Sequence, residues 1–150
     1  MQKTTASPKF LHGHHNATKT KGSLSIAIGM IPLPPFEKFS ATENILMRYN
    51  EDYLEVRAYV DDYPHLSFWI LIHTDDLYDA QTLPVQPDGI PGTAYAGFMA
   101  NELYNGNQGQ LVYCYDEATQ VLEGTLHFDA SPYRFTGGKF RIKGLNPPVR

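Results

Sequence analysis

Apolar and polar side chains alternate along most of this chain with a period of two, and no apolar stripe at i, i+3, i+4, i+7 persists for three turns. Only extended strands present their side chains in that rhythm, so the alternation predicts a β-protein. Leu24, Ile26, Ile28 and Met30 face Ser23, Ser25, Ala27 and Gly29 across a first strand at 24–30. Pro32 to Pro35 then forms a stiff link in which no helix can propagate. Ile45, Met47 and Tyr49 share one face, Asn50-Glu51-Asp52 turns the chain, and Leu54, Val56, Ala58 and Val60 line the return strand, with Glu55 and Arg57 on its wetter side.

The run from Leu66 to Ile72 is apolar on both faces, with Phe68, Ile70 and Ile72 on one and Trp69 and Leu71 on the other. Such a run predicts a central strand covered on both sides, because either face left open would be a large apolar patch. Residues 75–87 read as a connection with room for one helical turn, followed by turns at Asp88-Gly89 and Pro91-Gly92 and a strand over 93–100. Residues 105–109 read as a loop. Strands at 111–115 and 121–129 form a second hairpin, with Leu122, Leu126 and Phe128 inward and Glu123, Thr125, His127 and Asp129 outward. In the last strand, 137–145, Phe140 and Ile142 alternate with Lys139, Arg141 and Lys143.

Seven or eight such strands predict an all-β fold, an antiparallel β-sandwich, with a partly closed β-barrel as the alternative. A chain of 150 residues suits one domain. Residues 1–22, rich in Lys, Thr, Ser, Gly, Asn and His, read as a flexible arm, 23–145 as the sandwich and 146–150 as a tail. No apolar run approaches the roughly 20 residues of a membrane-spanning helix. Cys114 is the only cysteine, so no intramolecular disulfide forms. No convincing cleavage site follows the apolar stretch 23–33, and the cytoplasm is favoured over an exported location.

Charge divides the chain into blocks. Residues 23–133 hold all 16 acids against Lys38, Arg48 and Arg57, a net of −13, whereas 1–22 and 134–150 carry only cations. An acidic field repels nucleic-acid phosphate and anionic lipid and attracts cationic partners, which argues against nucleic-acid binding and for a protein partner. The simpler expectation is that the acids pair internally with the basic C-terminal segment. The comb of Lys139, Arg141 and Lys143 is expected to guard an edge strand against unwanted pairing.

Three groups of residues then resemble a family of small bacterial β-sandwich domains of unknown function, many of which look like exported lipoproteins. They are Pro91-Gly92-Thr93-Ala94-Tyr95, the strand from Gly109 to Asp116, and Thr119 to Phe128 with its closing Gly138-Lys139-Phe140. The resemblance implies a sandwich and supplies no activity, ligand or catalytic residue. This chain lacks the lipid-attachment cysteine of the exported members. Gly124, in mid-strand, marks a bulge or a close backbone approach.

Candidate chemistry is sparse. No G-x-S-x-G, Walker loop, C-x-x-C or H-E-x-x-H occurs, and no spacing nominates a partner that would make Cys114 a nucleophile, so it reads as a buried, inert thiol. His12-Gly13-His14-His15 has metal-binding composition but reads as a solvated tail. Asp75, Asp76 and Asp79 offer oxygen ligands for calcium, although their spacing lacks the order of the known calcium loop. Ten tyrosines are too many for one core, and Tyr63, Tyr78, Tyr95 and Trp69 are the candidate binding aromatics. The leading expectation is thus a non-enzymatic module that engages a protein through an acidic, Tyr-rich surface. A carbohydrate or small-ligand sandwich is the alternative, and a hydrolase using His73 or His127 ranks below both.

Overall fold

The computed structural model describes residues 18–49, 53–73 and 80–144, and all of its regular elements are strands. They are β1 (Thr18–Lys19), β2 (Lys21–Met30), β3 (Glu37–Ala41), β4 (Asn44–Tyr49), β5 (Leu54–Tyr59), β6 (Ser67–His73), β7 (Gln81–Pro84), β8 (Thr93–Met99), β9 (Leu103–Asn105), β10 (Gln108–Asp116), β11 (Val121–Ala130) and β12 (Tyr133–Lys143). Two antiparallel sheets stack, the first in the order β1-β4-β5-β6-β8-β9 and the second in the order β3-β2-β12-β11-β10-β7. The fold is a sandwich and does not close into a barrel.

The strands that the sequence does not announce are short. β3 has two buried residues, Phe39 and Ala41, too few for a visible alternation, and β7 and β9 have fewer still. Strand structure also begins at Thr18, inside the segment expected to be a flexible arm. Hydrogen bonds rather than apolar burial hold it there, since β1 pairs with β4 and Thr20 donates from both its amide and its hydroxyl to the Ile45 carbonyl.

Two of the corners at which the chain passes between sheets are built alike. β1 leads into β2 through Thr20, and β9 leads into β10 through Gly106 and Asn107. Just past each corner a glycine takes a conformation that L side chains rarely adopt, with φ of +152° at Gly22 and +146° at Gly109. A Cβ at Gly22 would lie 2.2 Å from the Arg141 carbonyl oxygen, and one at Gly109 would lie 2.2 Å from that of His127. These glycines let a strand swing out of one sheet while pressing against the backbone of the other.

Between the sheets lies one core in which Phe39, Phe68, Phe98, Phe128 and Phe135 meet, with ring centroids 4.5–6.1 Å apart. Burying each such ring stabilises the fold by about 1.5–3 kcal/mol before entropy is counted. As the two-sided pattern predicts, β6 is central: Phe68, Ile70 and Ile72 enter this core, while Trp69 and Leu71 enter a second cluster with Tyr53 and Tyr95 on the opposite face. Gly124 marks the expected close approach, since a Cβ there would sit 2.1 Å from the Val112 carbonyl oxygen.

Glu55 and Arg57 correct the sequence expectation. Both lie in that second layer, 1% and 2% exposed, rather than on a wet face. Glu55 accepts from Arg48 and Arg57, and the Arg57 guanidinium lies 4.5 Å from the Trp69 ring centre. Charges spaced i, i+2 look solvated in a sequence. Here the pairing of β4 with β5 and of β5 with β6 brings a second arginine and an indole onto the same face.

Candidate functional site

The outer face of the second sheet carries a cleft of about 470 Å³ where β10, β11 and β12 lie side by side. Its polar walls are Gln108, Gln110, His127, Asp129, Arg134 and Thr136, over a floor that includes Gly109 and the buried Phe135. Strand parity and register explain why they converge. Asp129 stands directly opposite Arg134 on β12 and Gln108 on β10, and Gln110 stands opposite His127.

A bulge makes the room. The β11–β12 ladder shifts register between Leu126 and Phe128, and the β12–β2 ladder shifts between Thr136 and Lys139. Gly137 takes the extra turn with φ +62°. An added residue bends the strand and re-aims its neighbours, which leaves His127 without a directly opposed residue on β12 and opens the sheet surface beside Thr136.

Asp129 organises the cleft. Its Oδ1 accepts from Arg134 Nε at 2.8 Å, and its Oδ2 accepts from Arg134 Nη2 at 3.0 Å and from Gln108 Nε2 at 2.8 Å. The Arg134 hydrogen bonds, helped by Gln108 and opposed by burial, hold the Asp129 carboxyl below the ordinary carboxylate range. A carboxyl depressed in the folded state stabilises the fold above the ordinary Asp value of the unfolded chain, and the gain is lost as acid protonates the folded group. Asp129→Asn is therefore expected to lower the thermal midpoint at neutral pH and to flatten its decline through the acid range. Thermal midpoints of both proteins across that range check this.

The nominated residues fall in different places. Trp69 and Tyr95 are 4% and 0% exposed, so they present no surface to a partner. Trp69 donates to Ser67 Oγ, and the Tyr95 hydroxyl donates to Asn105 Oδ1. Tyr63 is exposed and packs edge-on against Phe39. Tyr78 and the calcium candidates Asp75, Asp76 and Asp79 lie outside the described residues, as do the histidines at 12, 14 and 15. Among the described residues no group of three or more His, Cys, Asp or Glu could hold a metal ion.

Two further expectations change, those for Cys114 and for the basic comb. Cys114 is exposed, because alternation places it on the outer face with Val112 and Asp116, opposite Glu123. It stands two rows of the sheet from His127, roughly 13 Å at the rise of a strand, so the two do not form a nucleophile and base. His73 is buried against Tyr53 behind the first sheet, whereas His127 faces out of the second, so the two histidines share no site. The comb of Lys139, Arg141 and Lys143 guards no edge, since β12 lies between β2 and β11.

Sequence reasoning passed over Gln108, Gln110, Arg134 and Thr136. A signal existed: Asp129 and Arg134 flank Ser131-Pro132 at the spacing of a two-residue hairpin, which sets them opposite one another. No family model, curated protein or solved structure matches the chain.

Proposed function

We propose that the chain is a non-enzymatic binding module whose ligand, a small polar molecule bearing a carboxylate, occupies the cleft of the second sheet. The observation that carries this is the geometry of Arg134. Its Nε and Nη2 are locked onto Asp129, while its remaining donors stay uncommitted among the described residues beside His127, Gln110 and Thr136. An arginine held in this way forms charge-assisted hydrogen bonds without first paying to order itself. Small size follows from the cleft volume, and the amides of Gln108 and Gln110 suit hydroxyls or carbonyls beside the anion.

This favours the small-ligand alternative over recognition through a tyrosine surface, because Tyr53, Tyr95, Tyr113 and Tyr115 are buried, Tyr49, Tyr59, Tyr104 and Tyr133 are half-buried, and among the described tyrosines Tyr63 alone is exposed. The resemblance to bacterial β-sandwich domains is compatible with a binding role and adds no ligand.

Calorimetric titration with a panel of small carboxylates, glucuronate among them, against neutral glucose tests the proposal. Carboxylates are expected to bind and glucose is not. Arg134→Ala is expected to weaken binding by ten-fold or more, the worth of one charge-assisted contact. A panel without a binder, or an Arg134→Ala protein that folds and binds unchanged, overturns it.

A further inference from the structure

Eight lysines and arginines have described side chains. Arg48 and Arg57 are held by Glu55, and Arg134 by Asp129. The other five, Lys21, Lys38, Lys139, Arg141 and Lys143, are exposed, make no ion pair among the described residues, and all project from the outer face of the second sheet. Among the described residues, the internal pairing expected of the basic C-terminal segment is thus met only by Arg134. Along β12 the three cations follow one another roughly 7 Å apart. Register sets small residues beside them: Ser25 next to Lys139, Ser23 next to Arg141, and Ser40 one strand further out. The result is a flat cationic surface. Its acids are Glu123, opposite Arg141, Asp129, which is held by Arg134, and Asp116, which is occupied in accepting from the amides of Ala118 and Thr119, while Glu37 is exposed between Phe36 and Lys38.

One end of this surface is apolar. The β2–β3 connection exposes Met30, Ile31, Leu33 and Phe36, the last two 63% exposed, and these are four of the seven exposed large hydrophobic residues described. The loop is firmly seated. Leu33 N donates to the Met30 carbonyl, Ile31 N to that of Pro132 and Phe36 N to that of Ile28. Gly29 faces outward by strand parity, and a Cβ on it would come within 3.0 Å of both Pro34 O and Pro35 Cα. The prolines therefore fold over the cationic face, and Leu33 and Phe36 stand at its rim.

We propose that this face docks on an anionic lipid bilayer, with Leu33 and Phe36 entering the boundary between headgroups and acyl chains and Lys38, Lys139, Arg141, Lys143 and Lys21 lying against the headgroups. A rigid apolar prong joined to a flat cationic field matches the two signals that hold a peripheral protein on a membrane. A nucleic acid would use the cations but has no place for Met30, Ile31 and Leu33, and its bases need aromatic platforms among the cations, where Phe36, at the rim, does not stand. The proposal goes beyond the small-ligand reading and does not depend on it.

Vesicle sedimentation tests it, using phosphatidylcholine with and without phosphatidylserine. Binding is expected only with phosphatidylserine and should weaken at high salt. Lys139→Glu/Arg141→Glu and Leu33→Ser/Phe36→Ser are each expected to reduce it by ten-fold or more. Trp69 is the only tryptophan and is buried, so a Leu33→Trp protein should report insertion as a blue shift on phosphatidylserine vesicles. Absence of sedimentation overturns the proposal. So does binding that ignores the loop variant while heparin or single-stranded DNA binds as well, which would make the face a general polyanion surface. The loop variant should leave the carboxylate titration of the cleft unchanged, so the two proposals fail separately.

Discussion

Gly109→Ala is expected to destabilise the protein by about 3–5 kcal/mol, combining the strain of an L residue in a glycine conformation with overpacking against fixed backbone. The added methyl would stand 2.2 Å from the His127 carbonyl oxygen and 2.6 Å from Phe128 Cα, and neither can move without breaking the β10–β11 ladder. Gly22→Ala should behave alike, because its Cβ would meet Arg141 and Ile142 at the matching place of the other corner. Gly137 is the control. It also has positive φ but nothing within 4 Å, so Gly137→Asn should cost about 1 kcal/mol or less. Urea midpoints of the three variants check the ranking, and equal effects would show that conformation alone matters and that close approach does not.

Glu55→Ala is the second large effect, about 3–5 kcal/mol, because it leaves the buried guanidinium of Arg57 without its carboxylate. In a protein of this size that lowers the thermal midpoint by roughly 10 °C. Removing both charges in Glu55→Leu/Arg57→Met should recover much of the loss, since the burial cost disappears with the pair. Burial pushes the Glu55 carboxyl above its ordinary value, and Arg57 and Arg48 only partly pull it back. Its linkage therefore runs opposite to that of Asp129. The raised group favours the fold when protonated, and stability falls as pH climbs through the ordinary Glu value toward the raised one.

What the sequence discloses is what a strand discloses about itself. Alternation gave Phe140 and Ile142 inward against Lys139 and Arg141, and the two-sided run of β6 foretold a covered central strand. Alternation carries no information about what lies opposite. Glu55 and Arg57 look wet until Arg48 and Trp69 are brought beside them by pairing, and Cys114 looks buried only because cysteines usually are. The cleft was hidden for a related reason. Asp129, Arg134 and Gln108 come from three strands, and Gln108 lay in what read as a loop because glycines and asparagines mark a sheet corner as readily as a turn. β12 begins at Tyr133, four residues before the alternation that announces it at Gly137, because Ser131-Pro132 is a hairpin tip that interrupts no ladder.

The long strands, β2, β10, β11 and β12, all sit inside the second sheet, whereas its borders are β3 with five residues and β7 with four, and the first sheet ends on β9 with three. A neighbouring molecule seeking to zip onto any of these borders would find only a few rungs before the ladder runs out. So short a template gives little cooperative gain per encounter, and a chain so rich in β-structure can be expected to tolerate crowded solution without assembling into fibres.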